Sequence, residues 1–226
     1  MYDLENRVSS GDMKFTFNIT ALVALLLTAP ALRADWPQWG RTDDRNMVSP
    51  QTGLPDLGKG KLDFKDANWP IRWSVKVGSL CYGNPTISGG KVFIGTNDRL
   101  WSDPRAKRTR GGLLLCIDDK TGKVLWRLLV PRYKKKIFGS GFDDLNVGVC
   151  SAATIEGDKA YIVSNRGEVL CLDVNGQADG NAGPFRDEGK YMAPDAKEPV
   201  KLYRGDGDII WRFDMIADLE NAPHDA

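Results

Sequence analysis

Short apolar runs bounded by turn residues recur along this chain, the pattern of β-strands rather than helices. Lys91-Val-Phe-Ile-Gly95 is answered by Lys159-Ala-Tyr-Ile-Val163, and Leu115-Cys-Ile-Asp118 by Leu170-Cys-Leu-Asp173. Ahead of each pair lies a further apolar run ending at glycine, Pro85-Thr-Ile-Ser-Gly-Gly90 and Ala153-Thr-Ile-Glu-Gly157. A fourth run closes each set, Val124-Leu-Trp126 and Ile209-Ile-Trp211. The pattern predicts two units of four strands in meander order, over about residues 83–131 and 147–215. Residues 213–219 are the best helical candidate, and no long amphipathic helix stands out.

The stretch Cys116-Ile-Asp-Asp-Lys-Thr-Gly-Lys-Val-Leu-Trp126 reads as two strands joined by a tight turn. Asp118 can bond its own backbone at the turn entrance, and Gly122 supplies the positive-φ position that closes it. Val124 and Trp126 then share one face of the second strand. This stretch resembles the tryptophan-docking repeat of quinoprotein-type (PQQ-like) β-propellers, Ala-x-Asp-x-x-Thr-Gly-Lys-x-x-Trp, with Cys116 in place of the alanine. Asp206-Gly-Asp-Ile-Ile-Trp211 aligns with its second half, and Pro70-Ile-Arg-Trp73-Ser-Val75 has the same ending. The resemblance implies structural docking roles for Trp73, Asp118, Thr121, Gly122, Trp126, Gly207 and Trp211. It implies an all-β fold, a β-propeller of four-stranded antiparallel blades. Two blades are too few for a ring, since propellers use about four to eight. The expectation is the N-terminal part of a larger propeller, residues 71–226, with a strand around Trp73 at its outer side.

Residues 1–34 carry Met13-Lys14, an apolar run from Ile19 to Ala29, then Pro30 and small residues. That is the order of a secretory signal, with Met13 an alternative start, and the apolar run is short for a transmembrane helix. A buried helix of a cytosolic chain is the competing reading. The signal predicts a periplasmic or secreted protein with no transmembrane anchor after cleavage. Residues 35–70 read as a leader whose Trp36 and Trp39 lie against the propeller body, with a polar loop over 56–70.

Two segments are basic, residues 97–110 and Arg132-Tyr-Lys-Lys-Lys136. They read as solvated loops, with binding of an acidic partner or a polyanion as the alternative. Lys and Arg total 31 against 30 acidic residues, a formal charge of +1, and no nucleic-acid motif is present. Residues 175–204 form an insertion rich in Gly, Pro, Asp and Asn that is expected to project from the second blade. Asp173, Asn175, Asp179 and Asn181 alternate somewhat like a calcium loop, but the EF-hand pattern fails and a polar loop is the better reading. The acidic pairs Asp143-Asp144 and Asp206/Asp208 read as turn residues.

Four cysteines in an exported chain invite disulfides. Cys81, Cys116, Cys150 and Cys171 allow three pairings, and buried thiols acting as small hydrophobes are equally open. The single histidine, His224, makes no metal cluster with them.

The resemblance covers catalytic and non-catalytic propellers alike. The first hold pyrroloquinoline quinone (PQQ) and calcium on the propeller axis; the second, BamB-like propellers among them, are protein-interaction platforms. The catalytic members stack the quinone on a disulfide between adjacent cysteines. Here Tyr82 follows Cys81 and Ser151 follows Cys150, so that ring cannot form. The sequence therefore predicts a non-catalytic exported propeller segment with no cofactor, contacting proteins or a small ligand through its loops. The alternative is a fragment of a PQQ-dependent alcohol or sugar dehydrogenase, and a truncated gene product without function is a third reading.

Overall fold

The computed structural model describes residues 35–49, 51–53, 71–134 and 145–220. The expected signal, the loop at 56–70, Lys135, Lys136, Asp143, Asp144 and His224 lie outside the described residues.

Among the described residues, eight strands form two four-stranded antiparallel sheets, each in sequence order. Sheet 1 comprises β1 (Thr86–Ser88), β2 (Lys91–Asn97), β3 (Gly112–Asp118) and β4 (Val124–Val130). Sheet 2 comprises β5 (Thr154–Glu156), β6 (Lys159–Val163), β7 (Glu168–Asp173) and β8 (Ile209–Asp214). Each has the four-stranded meander order of a propeller blade, and the two do not close a ring. Among the described residues, helix is confined to α1 (Glu188–Met192) and α2 (Met215–Leu219), with two short 3-10 turns. The Asp214 carboxylate caps α2 by accepting from the amides of Ile216 and Ala217.

The sheets repeat one another in register. Phe93, Cys116 and Trp126 lie side by side across sheet 1, and Tyr161, Cys171 and Trp211 across sheet 2. The ladder slips at the same place in both, between Cys116 and Ile117 and between Cys171 and Leu172. Such a bulge sharpens local twist and re-aims the following side chain. The ring pairs match too: Phe93–Trp126 at 6.1 Å and 59°, Tyr161–Trp211 at 6.2 Å and 50°.

Burial separates the two copies. Trp126 is only 1% exposed, with the turn that follows β7 and Gly207 ahead of β8 lying against its ring. Its indole Nε1 donates to the Val174 carbonyl at 3.0 Å. One blade earlier, Trp73 Nε1 donates to the Asp119 carbonyl at 2.8 Å. Each indole therefore lies on the first turn after an Asp-ended strand. Trp211, at the equivalent position of sheet 2, is 38% exposed, as is Phe213 beside it. That face is partly open to solvent.

Several expectations need correction. Residues around Trp73 are extended but join no ladder, so they pack as an arm rather than a strand. The glycine under Trp126 is Gly176, with φ +58°, where a Cβ would come within 2.8 Å of the ring. That matches Gly122 under Trp73, with φ +71° and 2.7 Å. Gly207, aligned by sequence, has no positive φ and lies beside Trp126 instead, because the insertion separates the turn from β8. The insertion does not project. It folds back on β4 through α1, burying Tyr191, Met192 and Val200. In the leader, Trp36 bridges to Ile87 of β1 and Pro37 accepts from Ile155 of β5, tying both inner strands together. Trp39 is 51% exposed and does not lie flat on the sheets.

The difference between the two tryptophans is measurable. Trp126→Ala should cost about 3–5 kcal/mol in urea unfolding, the usual loss for a buried large aromatic. Trp211→Ala should cost about 1 kcal/mol, as for a half-open surface site. Equal losses would mean that the two indoles are covered alike.

Candidate functional site

Two ends of the sheets carry different chemistry. At one end lie the turns that receive Trp73 and Trp126. At the other, where Asn97, Gly112 and Val130 stand opposite one another, the chain leaves β2 for β3 and β4 for β5.

The connection from β2 to β3 begins with a 3-10 turn, Asp98–Leu100, capped by Asn97. The Asn97 carboxamide is buried and works as a hub. Its Oδ1 accepts from the amides of Ser79 and Arg99, and its Nδ2 donates to the Asn146 carbonyl at 3.0 Å. The buried Asp98 carboxylate accepts from Thr109 N at 2.6 Å, folding the loop back on itself. From the second sheet's side, Gly148 (φ +76°) and Val149 run against β2, Val149 N donating to Thr96 O. A side chain at Gly148 would strike the Thr96 carbonyl at 2.2 Å. These contacts leave a pocket of about 430 Å³ lined by Leu80, Arg99, Arg108, Arg110, Leu145 and Asn146, with Asp98 at its base.

The basic loop is thus divided by function. Arg105 is a structural clamp: its guanidinium meets Asp206 through two bonds of 2.8 and 2.9 Å and also engages Asp103 and Lys201 O. The Tyr203 ring lies 4.1 Å from it. This two-pronged pairing is the geometry arginine favours. Bonding to Arg105 holds the Asp103 carboxyl below its usual range. Arg99 and Arg108 remain exposed; Arg108 Nη1 donates to Arg99 O at 2.8 Å, and neither has a carboxylate partner among the described residues. Of the second basic segment, Lys134 pairs with Asp195 of the insertion.

The calcium candidates do not converge. Asn175 N donates to Asp173, and Asn175 Nδ2 to Asp179 at 2.9 Å, whereas Asn181 Nδ2 turns to Glu188. Among the described residues, no three acidic, histidine or cysteine side chains gather as metal ligands. All four cysteines are thiols. Cys116 and Cys171 are buried as small hydrophobes, and burial pushes the Cys116 thiol up to about 12. Cys81 Sγ donates to Gly95 O at 3.2 Å, and Cys150 Sγ to Gly148 O at 3.6 Å.

Asp206 and Asp208 are fully buried rather than solvated turn residues. Asp206 Oδ2 accepts from Tyr203 N as well as from Arg105. Asp208 accepts from Ala182 N at 2.7 Å and lies beside the buried Glu188, whose oxygens accept from Ile209 N and Asn181. Burial and the Glu188 charge push the Asp208 carboxyl up to about 6. Glu168, missed in the sequence, is the other buried anchor: Tyr191 Oη, Ser164 Oγ, Arg166 and Arg212 all donate to it. Its position in an apolar strand run, with two arginines nearby, was the available signal.

No protein-family model matches this chain, and no curated protein does. Among solved structures, BamB from Moraxella catarrhalis is 18% identical over 59% of this chain and 23% of its own, with a TM-score of 0.28. A quinohemoprotein alcohol dehydrogenase from Comamonas testosteroni is 15% identical over 86% of this chain and 21% of its own, with a TM-score of 0.41. The quinohemoprotein alcohol dehydrogenase ADHIIG from Pseudomonas putida HK5 is 14% identical over 59% and 19%, with a TM-score of 0.28. The chain spans about a fifth of the length of each of these proteins. Among the described residues, no helix is long and apolar enough to cross a membrane.

The Asp208 environment generates a pH test. The folded chain holds this proton between pH 3.8 and about 6 while the unfolded chain has released it, so stability falls as pH rises through that window. Asp208→Asn imitates the protonated form. It should leave the urea midpoint unchanged near the acid end of the window and raise it above the natural chain's at neutral pH. A parallel pH dependence in both proteins would refute the assignment.

Proposed function

We propose that this chain is a non-catalytic, exported PQQ-like propeller segment that acts as a binding scaffold through the loop end of its sheets. The observation that carries this reading is the pocket lined by Arg99, Arg108 and Asn146. It offers guanidinium groups and an amide to a ligand, and among the described residues no nucleophile, acid–base pair or metal cluster stands with them. A binding site with fixed polar groups and no reactive partner suits recognition rather than turnover. Export rests on the signal-like residues 1–34.

Quinone and calcium do not fit the residues described. The cysteines at 81 and 150 have no adjacent cysteine, and the four calcium candidates are spent on hydrogen bonds within two separate turns. Neither group is part of the proposal.

The deciding experiment supplies PQQ and calcium to the purified protein and follows dye-linked oxidation of ethanol and glucose. No calcium-dependent dye reduction is expected. Turnover that saturates with quinone would overturn the scaffold reading in favour of a quinone-dependent dehydrogenase.

A further inference from the structure

We infer that the loop-end pocket is a site for a small hydroxylated anion, a hydroxycarboxylate or a sugar phosphate. This deepens the scaffold reading and rests on it. Three observations converge. First, Arg99 and Arg108 present two guanidinium groups at one pocket wall, joined by the Arg108 Nη1 bond to Arg99 O and free of carboxylate partners among the described residues. Guanidinium groups match the oxygen pairs of carboxylate and phosphate.

Second, Asn146 lines the same pocket at 9% exposure, and its Oδ1 is buried with no hydrogen-bond partner. A buried polar atom without a partner is costly, so it needs a ligand atom or water to complete it. An acceptor oxygen calls for a donor, which a bare carboxylate lacks and a hydroxyl supplies. The residue is held in this position by its own backbone: φ is +56°, and its carbonyl is fixed by Asn97 Nδ2. Asparagine tolerates that left-handed conformation better than most residues. Close by, Asn165 is also buried with neither amide atom partnered; its Oδ1 packs against Gly112, the residue opposite Asn97.

Third, the only carboxylate lining the pocket among the described residues is already hydrogen-bonded. Asp98 is 1% exposed and its Oδ2 accepts from both the amide and the hydroxyl of Thr109. It therefore repels an incoming anion less than an open carboxylate would. Leu80 and Leu145 at the rim provide apolar contact for the body of the ligand, and a volume of about 430 Å³ suits a molecule of that size.

Citrate, glucose 6-phosphate and uncharged glucose, titrated calorimetrically at constant ionic strength, test the assignment. Saturable binding of citrate or glucose 6-phosphate, with none for glucose, is expected, and the stronger of the two identifies the anionic group. Arg99→Gln with Arg108→Gln should weaken it about tenfold or more, the usual effect of losing a charged hydrogen bond. Asn146→Gly, which keeps the left-handed backbone, should weaken it several-fold. No saturable heat with either anion, equal binding of glucose, or unchanged affinity in the arginine double variant would each overturn the site. These anions are redox-inert, so a flat titration counts against the pocket alone, while dye reduction counts against the scaffold reading.

Discussion

The contact on which the rest depends is the indole of Trp126 lying on the turn after β7, its Nε1 bonded to the Val174 carbonyl. A tryptophan is the side chain best suited to join two sheets at a turn. It buries a large apolar area and still offers one donor for a backbone oxygen that packing would otherwise strand. The contact works only if the turn has no side chain where the ring sits, which is why Gly176 lies there. Trp73 and Gly122 repeat the arrangement one blade earlier.

Once the sheets are fixed in this way, the loops can be held by charge. Arg105 reaches from the first sheet's long connection to Asp206 before β8, and Glu168 gathers Tyr191, Arg166 and Arg212 beneath the insertion. Buried carboxylates are costly unless fully bonded. Both of these are, and each ties an inserted segment to the sheets. The insertion consequently behaves as part of the core, and the loop end that bears Arg99 and Asn146 has a firm base.

The sheet architecture was legible because strands of this kind are local. Apolar runs, glycine turns and the repeated Cys-x-Asp ending mark both units, whereas the shared bulge after Cys116 and Cys171 left no mark in the pattern. The role of Gly176 was hidden because the insertion displaces it from the motif and leaves Gly207 as the apparent match. The fate of residues 175–204 was misread for a similar reason. Their composition is that of a solvated loop, and only Tyr191, Met192 and Val200, few and scattered, betray the packing. The pocket was visible only as a basic loop, since which arginines are consumed depends on partners about 100 positions away, as Arg105 and Asp206 show. Asn146 carried no sequence signal, its importance lying in a backbone dihedral and a missing partner.

The unequal cover of the two sheets has a consequence for how the chain breathes. In stacked repeats each unit draws much of its stability from its neighbours. Sheet 1 has one on either side, the arm at Trp73 and sheet 2, whereas the Trp211–Phe213 face is partly open to solvent. Local opening should therefore cost least at β8 and most at β3. Amide protons in β8 would then exchange through partial fraying, and those of β3 only when the whole unit opens. The chain is thereby graded from one sheet to the other rather than uniformly cooperative.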